Sequence, residues 1–220
     1  MVVDNEIKGR LALVTGASGG IGAACSRDLH AYGTRLALTY STNKNSLDNL
    51  VAELLKQSKD LKISTHQCDV AKEADLQRLF DEVKHEHGQH PDILVANAGY
   101  GKRVSNILDI ALEEWDYAAG GTSINGCHYS ASKAGVQGMS KNLANKMSKE
   151  GITFNDVAPA MITGTGMIPS EENLKDTPGD VKNIPVGRSG HTTECANVVT
   201  MLCRTGYMTG QSILLSGGLK

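Results

Sequence analysis

The feature that most constrains the fold is an alternation of short apolar runs with amphipathic stretches over the first hundred residues. The apolar runs are LALVT at 11–15, RLALTY at 35–40, KISTHQ at 62–67 and DILVA at 92–96, and the amphipathic stretches are 20–32, 46–57 and 72–87. Strands that alternate with helices are typical of βαβ units, in which parallel strands form one sheet and helices cover both faces. The sequence therefore predicts an α/β fold with a doubly wound parallel sheet.

The second half of the chain resumes the same rhythm after a gap. It predicts a helix at 129–147, a strand over ITFNDV at 152–157, a loop at 158–190, a helix at 192–204 and a last strand at 212–216. The length of 220 residues is enough for one well-cored domain and too short for two of full size. We therefore predict a single domain over residues 1–220.

The segment between the two halves breaks the pattern. Residues 109–117 begin a helix, but the apolar pattern runs into Ala118-Ala119-Gly120-Gly121 after about two turns. A parallel strand is followed by a crossover of a dozen or more residues before the next parallel strand. No candidate strand lies between DILVA and the helix that begins near Tyr129, so the sheet is predicted to lack an element here.

Composition narrows the class of partner. The formal charge is −2 and no block of Lys and Arg is present, which argues against a nucleic acid or an anionic membrane surface as partner. The first ten residues do not resemble a signal peptide, no apolar run is long enough to cross a bilayer, and the five cysteines are scattered without a CxxC pair. We expect a reduced, cytoplasmic protein that acts on a small molecule.

A glycine-rich turn follows the first predicted strand. In LALVTGASGGIG, Gly16, Gly20 and Gly22 lie between that strand and the opening of the first helix. Glycines let the backbone turn tightly and approach a pyrophosphate, whose charge is stabilised by the free N–H groups of the helix N-terminus. Tight turns also use glycine for steric reasons alone, but in the first βα unit this pattern favours a dinucleotide site in a Rossmann-type fold.

The end of the second strand bears on the choice of dinucleotide. Chains that bind NAD usually place an Asp or Glu there for the ribose 2′-hydroxyl, whereas this chain has Tyr40, Ser41, Thr42, Asn43 and Lys44. Hydroxyl, amide and ammonium groups suit a 2′-phosphate, and no carboxylate is present to repel it. NADP(H) is therefore favoured over NAD(H), the alternative being a solvated polar loop.

A tyrosine and a lysine are spaced for acid-base chemistry in the second half. Tyr129 and Lys133 are four residues apart on a predicted helix, so they share one face. A phenol is a poor acid-base group at neutral pH, and a neighbouring ammonium lowers its pKa toward the working range. The pair alone would be an ordinary helix surface pair, but with the upstream glycine turn it indicates a catalytic pair.

Taken together, these motifs resemble the short-chain dehydrogenase/reductase family. The resemblance is carried by TGASGGIG, Asp69-Val70, the NAG at 97–99, YSASK at 129–133 and VAPAMITGTG. It is greatest to the 3-oxoacyl-[acyl-carrier-protein] reductase-like members, and INGCHYSASK is similar to fungal sequences. The resemblance implies hydride transfer between a nicotinamide and a ketone or secondary alcohol.

The resemblance also implies roles for single residues. The implied cofactor contacts are Ile21 in the glycine turn, Asp69 at the adenine, Asn97 along the ribose, and Ile162 and Thr163 near the nicotinamide carboxamide. Tyr129 is the implied proton donor, and Lys133 binds the nicotinamide ribose and lowers the pKa of the tyrosine. The Pro-Gly of the family reads Pro159-Ala160 here.

One departure from the family is large. Members carry an active-site Asn on a long helix and an active-site Ser thirteen residues before the Tyr, but that position here is Asp116, still within EEWDY. Roughly thirty residues, about one helix and one strand, are therefore missing near 116–118. Two hypotheses follow: an NADP(H)-dependent ketoreductase, or a non-catalytic dinucleotide-binding remnant of one. A homo-oligomer is possible but loses the usual interface helix.

The stretch HEHGQH at 85–90 has the composition of a metal site. Its histidines are His85, His87 and His90, and residues two apart on a helix face different directions. No metal site is predicted.

Overall fold

A computed structural model describes residues 5–58, 60–99 and 127–219. Their contacts form two compact units. The first contains the described residues of Met1–Ala98, Ile162–Asn173 and His191–Thr205, and the second those of Gly99–Met161, Leu174–Gly190 and Gly206–Lys220. The prediction of one domain over 1–220 stays a prediction.

The first unit holds the predicted parallel sheet with its crossover helices. Its elements begin with β1 (Leu11–Val14), α1 (Gly20–Ala31), β2 (Arg35–Tyr40), α2 (Lys44–Gln57), β3 (Ile63–Gln67), α3 (Glu73–His87) and β4 (Ile93–Val95). The strand order is β3-β2-β1-β4 and all three pairings are parallel. This is the predicted Rossmann-type arrangement, and the element bounds differ from the sequence prediction by only one or two residues.

The two faces of this sheet bury different helices. Leu11 and Leu13 of β1 pack with Leu79 and Val83 of α3. The alternate residues of β1 point to the opposite face, where they join a core of α1 and α2 side chains that includes Leu29, Leu47, Leu50 and Leu54. Because successive strand residues face opposite sides, the unbroken apolar run LALV indicates a strand covered on both faces.

The strand β4 lies at one side of this sheet and pairs with β1 among the described strands. Its middle residue, Leu94, is 56% exposed, whereas the β1 residues are fully buried. The deletion predicted near 116–118, together with Asp116, lies outside the described residues.

The second unit contains α4 (Cys127–Met147), β5 (Asp156–Pro159) and β8 (Ser212–Leu215). β5 and β8 form a parallel pair with Val157 opposite Ile213. The predicted strand at 152–157 therefore begins too early. The reason is local: the N–H of Phe154 donates to Thr209 Oγ1 at 3.1 Å, and its carbonyl accepts from the N–H of Gly210 at 2.7 Å.

The remaining elements are short except for the last helix. β6 (Ile162–Thr163) pairs with β7 (Gly190–His191), and α5 (Thr192–Arg204) packs along α1 in the first unit. The predicted loop at 158–190 thus contains the end of β5, β6 and three-residue to four-residue 3-10 turns at 171–174 and 181–183. Among the described helices, none has the length and apolarity needed to cross a membrane.

Candidate active site

The glycine turn after β1 has a backbone that only glycine adopts readily. Gly16 has a φ of 65°, in the left-handed region. Its N–H donates to Thr39 Oγ1 at 3.1 Å, and the N–H of Ala17 donates to the Thr39 carbonyl at 2.8 Å. Thr39 is buried at the end of β2, so the turn is fastened to the neighbouring strand.

The other two glycines of the turn are required by close packing. A Cβ on Gly20 would overlap the carbonyl oxygen of Gly164, and a Cβ on Gly22 would overlap that of Gly16 and lie 2.7 Å from Asn97 Nδ2. Any side chain at these two positions would push the turn, β4 or the 162–173 segment aside. Close packing therefore requires glycine at both positions, and the part predicted for them in binding a cofactor stays a prediction.

The first turn of α1 leaves its backbone donors free of side-chain caps. Gly19 is the N-cap and makes no side-chain hydrogen bond, and no acidic residue lies in the first turn. The first N–H groups of a helix have no partner within the helix, so those of Gly20, Ile21 and Gly22 point out of the helix end. Such an end binds anions, phosphate in particular.

Asn97 fastens the end of β4 to the turn. Its Nδ2 donates to the Thr15 carbonyl at 2.9 Å and to the Gly16 carbonyl at 3.2 Å. The N–H groups of Asn97 and Ala98 both donate to Thr15 Oγ1, at 3.1 and 3.0 Å. Asn97 thus holds the carbonyls of the glycine turn in place in addition to its predicted position at the cofactor.

The residues after β2 are exposed and polar. Asn43 caps α2 by accepting the N–H of Ser46 at 3.1 Å, and Lys44 pairs with Asp48 at 2.7 Å. Ser41 and Thr42 are exposed at the strand end, and the Ser41 carbonyl accepts from Gln67 Nε2 at 3.1 Å. The hydroxyls of Ser41 and Thr42 therefore face solvent near the turn, while the charge of Lys44 is partly neutralised.

A groove of about 390 Å³ opens beside the glycine turn. Its wall includes Ser18, Gly19 and Gly20 from the turn, Ser46 from the first turn of α2, and Thr192 at the start of α5. The lining is mostly polar and combines helix-start backbone and hydroxyl groups with the Arg27–Glu53 ion pair. The backbone and the hydroxyl groups are the chemistry expected around a phosphate-bearing ligand, and the charge of the Glu53 carboxylate is paired with Arg27.

Asp69 follows β3 at the same end of the sheet. Its N–H donates to Asp75 Oδ2 at 2.9 Å, and its own carboxylate accepts from the N–H of Ala71 at 3.2 Å and lies 3.5 Å from Lys72 Nζ. The hydrogen bond from the Asp69 N–H, helped by Arg78, holds the pKa of the Asp75 carboxyl below its ordinary value.

The segment predicted to lie near the nicotinamide belongs to the first unit. Ile162 is buried, and Gly164, two residues further along, contacts Gly20 through its carbonyl oxygen. Met161, the preceding residue and a member of the second unit, has a φ of 55°, a backbone conformation uncommon for a residue with a side chain. Such strain concentrates at functional sites.

Tyr129 and Lys133 lie in the second unit, on the first two turns of α4. Tyr129 is 8% exposed, and Ser132 Oγ donates to its carbonyl at 2.8 Å. Partial desolvation lowers the pKa of the Lys133 ammonium, and the Asp156 carboxylate on β5 opposes that shift, although the lysine side chain still reaches solvent. Asp156 accepts from Ser212 Oγ, which accepts from Gln137 Nε2 at 2.9 Å.

The predicted site residues thus divide between the units. The first unit brings together Gly16, Gly20, Ile21, Gly22, Asn97, Ile162 and Thr163 around one turn, with Ser41, Thr42 and Asp69 at the ends of the adjacent strands. Tyr129 and Lys133 belong to the second unit.

Comparisons with known families decide the relationship. The profile described as short chain dehydrogenase matches residues 10–119, and that described as Enoyl-(Acyl carrier protein) reductase matches residues 117–220. The chain is 31% identical to the 3-oxoacyl-[acyl-carrier-protein] reductase FabG of Staphylococcus epidermidis, over 94% of this chain and 98% of the relative. This chain belongs to the short-chain dehydrogenase family.

Further relatives extend this assignment. Nodulation protein G of Rhizobium sp. is 33% identical over 97% of this chain and 98% of its own length. A short-chain dehydrogenase/reductase mutant from Serratia marcescens superposes with a TM-score of 0.88 at 26% identity, over 97% of this chain and 99% of that one. A blue fluorescent protein from a metagenomic library in complex with NADPH superposes with a TM-score of 0.85 at 27% identity, over 97% of this chain and 99% of that one. A Burkholderia cenocepacia short chain dehydrogenase in complex with NADP superposes with a TM-score of 0.85 at 25% identity, over 98% of this chain and 99% of that one.

The alignment lengths bear on the predicted gap in this short-chain dehydrogenase. The Staphylococcus epidermidis alignment is 244 positions long, whereas 94% of 220 residues is about 207, so about 37 positions have no counterpart in this chain. The two family profiles meet at 117–119, beside the deletion predicted near 116–118. The location of the missing segment stays a prediction.

Sequence reasoning missed the residues that support the site. Thr39 and Thr15 use their hydroxyls to hold the turn, and Asp75 holds the backbone of Asp69. The role of Thr39 has one sequence signal: it is a threonine in the penultimate position of a buried apolar strand, and a buried hydroxyl must find a hydrogen-bond partner. No sequence signal identifies Asp75, which resembles any acidic residue in the first turn of a helix.

Proposed function

We propose that this short-chain dehydrogenase is an NADP(H)-dependent oxidoreductase that interconverts a ketone and a secondary alcohol. The observation that carries the proposal is the glycine turn: a left-handed Gly16 leads into an uncapped helix start, and the turn is packed too closely to admit side chains at positions 20 and 22. Backbone of this form fits a pyrophosphate. We assign its binding to the N–H groups of Gly20, Ile21 and Gly22.

The preference for NADP(H) rests on the chemistry after β2 and on two relatives. Ser41 and Thr42 offer hydroxyl donors, and residues 40–44 contain no carboxylate. Two of the solved relatives are complexes with NADPH and with NADP. A 2′-phosphate bound here accepts hydrogen bonds from those hydroxyls without facing a negative charge from the strand end.

The catalytic roles follow from the spacing on α4. A bound nicotinamide supplies or accepts the hydride. Tyr129 donates the proton to the carbonyl oxygen in reduction and takes it back in oxidation. Lys133, one turn further along the helix, stabilises the phenolate through its positive charge and thereby lowers the pKa that the phenol would otherwise have.

The substrate class is a 3-oxoacyl thioester or a secondary-metabolite ketone. Support for the first comes from the relatives described as 3-oxoacyl-[acyl-carrier-protein] reductases. The loop at 158–190 and the segment predicted to be missing would shape the substrate pocket, and residues 100–126 lie outside the described part of the chain. A cytoplasmic location and a homo-oligomer stay predictions.

A second candidate is a dinucleotide-binding protein without catalysis. It is favoured by the exposed Leu94 on β4, since the helix and strand predicted to be missing would cover this residue, and by the predicted absence of the active-site Ser. Loss of one such donor to a developing oxyanion typically lowers the rate by about 10²- to 10³-fold. The cofactor half would then bind without turnover.

One pair of measurements tests both candidates. Thermal unfolding with NADPH at 100 times its dissociation constant should stabilise a binder by about 2.7 kcal/mol, and oxidation of NADPH with a 3-oxoacyl thioester or a polycyclic ketone should follow for an enzyme. Tyr129→Phe should abolish turnover while leaving the NADPH-induced stabilisation intact, and Tyr207→Phe, at a residue 98% exposed, is the matched control. Stabilisation without turnover supports the second candidate, and a Tyr129→Phe protein with full activity contradicts the first.

A further inference from the structure

A buried chain of polar side chains joins β3 to α3 away from the glycine turn. His87 Nε2 lies 2.9 Å from Ser64 Oγ, Ser64 Oγ lies 2.7 Å from His66 Nε2, and His66 Nδ1 lies 2.9 Å from Glu82 Oε2. Ser64, His66 and His87 are all buried. His87 is the middle histidine of HEHGQH, whose other two, His85 and His90, are exposed.

The donor and acceptor roles in this chain follow from its acidic end. A carboxylate only accepts, so His66 Nδ1 carries a proton and donates to Glu82. In the neutral imidazole the other nitrogen accepts, so Ser64 donates to His66 Nε2 and accepts from the Nε2–H of His87. His87 Nδ1 is then a bare lone pair, and it is a buried atom without a hydrogen-bond partner among the described residues.

This chain of hydrogen bonds cannot take up one more proton without leaving a polar group unpaired. If it goes to His87 Nδ1, that buried N–H lacks an acceptor. If it goes to His66, either the chain reverses and His87 becomes the Nδ1–H tautomer, or the Ser64 hydroxyl hydrogen is left unpaired. Every protonated arrangement therefore leaves one buried donor unpaired, which is costly in a low-dielectric interior.

Burial lowers the pKa of His87, and most of the charged groups around it act in the same direction. Lys62 before β3 and Arg35 on β2 oppose a positive charge there, as does His66, whereas Glu86 favours it. Burial is the largest effect, and together these groups lower the pKa of His87. Lys62 Nζ also donates to the Glu86 carbonyl, so the end of α3 is held beside the loop that precedes β3.

From Glu82 the contacts continue to Asp69. Arg78 Nη1 lies 3.5 Å from Glu82 Oε1, and Arg78 Nη2 lies 3.0 Å from Asp75 Oδ1 and donates to the Gln67 carbonyl at 3.1 Å. Asp75 in turn accepts the N–H of Asp69 at 2.9 Å. A continuous path of hydrogen bonds and ion pairs thus runs from His87 to the backbone of Asp69.

We propose that the path His87–Ser64–His66–Glu82–Arg78–Asp75 is a positioning network that sets the backbone of Asp69 and makes NADP(H) binding sensitive to mild acid. This inference rests on the proposed function, in which Asp69 contacts the adenine. Protonation of His87 disturbs the hydrogen bonds that run through Ser64 and His66 to the Glu82 carboxylate, which shares Arg78 with Asp75. Loosening of that shared contact frees the loop at 69–72 and weakens binding of the cofactor.

The test uses a substitution that keeps the hydrogen bond and removes the titration. In His87→Gln the amide nitrogen reaches the position of Nε2 and donates to Ser64, but it takes up no proton. His85→Gln, on the exposed side of the same helix, is the matched control. The dissociation constant for NADPH is measured by fluorescence titration of the whole chain from about pH 7.5 down to about pH 4.5, because burial lowers the pKa of His87 below the ordinary histidine value near 6.5.

The NADPH 2′-phosphate titrates in the same range, so the ratio of dissociation constants at each pH is the quantity to compare. Wild type and His85→Gln should lose about tenfold more affinity than His87→Gln over this range. A tenfold change is expected if the pKa of one group differs by about one unit between the free and the NADPH-bound protein. Arg78→Gln should also flatten the profile, while the ¹⁵N signals of the His87 ring, with Nδ1 unprotonated near neutral pH, stay as in wild type.

The outcomes separate this inference from the proposed function. Binding of NADPH by wild type with parallel profiles for His87→Gln and His85→Gln overturns the network while leaving the proposed function standing. A protonated His87 Nδ1 near pH 7.5 overturns the network as well. No binding of NADPH by wild type at any pH overturns the proposed function and, with it, the coupling.

Discussion

Gly20 and Gly164 touch so closely that one additional carbon on Gly20 would overlap the Gly164 carbonyl oxygen. The contact joins the start of α1 to the segment after β6, both of which belong to the first unit. Position 20 must therefore be glycine so that α1 and the segment after β6 can pack together, apart from any need of a bound phosphate for a close backbone approach.

Gly20→Ala is therefore expected to weaken NADPH binding at least tenfold and to destabilise the fold by about 1–3 kcal/mol, the usual cost of overpacking. Isothermal titration and urea unfolding measure the two effects. Gly138→Ala on α4, where an added Cβ meets no atom within 4 Å, is the control and should be neutral or stabilising by about 0.5–1 kcal/mol. Equal behaviour of the two variants would show that the contact with Gly164 is unimportant.

Thr42→Asp tests the basis for NADP(H) preference. The new carboxylate would lie at the end of β2, where NAD-binding chains place theirs, and would repel a 2′-phosphate while accepting a ribose hydroxyl. We expect NADPH affinity to fall by at least tenfold and the ratio of NADH to NADPH affinity to rise. Thr65→Asp, at an exposed position on β3, is the control for the added charge. If Thr42→Asp leaves the cofactor preference unchanged, the 2′-phosphate is bound by other residues.

Asp156→Asn is expected to shift the alkaline side of the pH–rate profile to lower pH. Desolvation lowers the pKa of Lys133 and the Asp156 carboxylate raises it, so removal of that carboxylate lets the pKa fall further. The ammonium that stabilises the Tyr129 phenolate is then lost earlier as the pH rises. The profile of kcat against pH measures the shift. The control is Asp81→Asn, at an exposed position on α3, which should leave the profile unchanged. An unchanged profile for Asp156→Asn would mean that Lys133 has no part in catalysis.

The first unit could be predicted closely because its signals are local. LALV is buried on both faces and followed by glycines, so β1, the turn and α1 each match a pattern of a few residues. The strand at 156–159 begins later than its sequence predicts, because ITF has strand-like composition while the backbone of Phe154 is hydrogen-bonded to Thr209 and Gly210, residues about fifty positions away. The role of His87 could not be predicted at all, since its partner Ser64 is 23 residues away on another element.

The exposure of Leu94 on β4 leads to a last prediction, on stability. Leu94 and Leu13 are register partners on adjacent strands, but Leu94 is 56% exposed and Leu13 is fully buried between β2, β4 and α3. Leu13→Ala should cost about 2–5 kcal/mol, because it removes buried methyl groups and leaves a cavity. Leu94→Ala should cost less than about 1 kcal/mol, because most of its surface already contacts water. Urea unfolding of the two variants compares them directly. A large cost at Leu94 would mean that this residue is covered in solution, either by residues 100–126 or by a second copy of the chain. In that case the catalytic hypothesis would gain support, since β4 would have a neighbour where the strand predicted to be missing would lie.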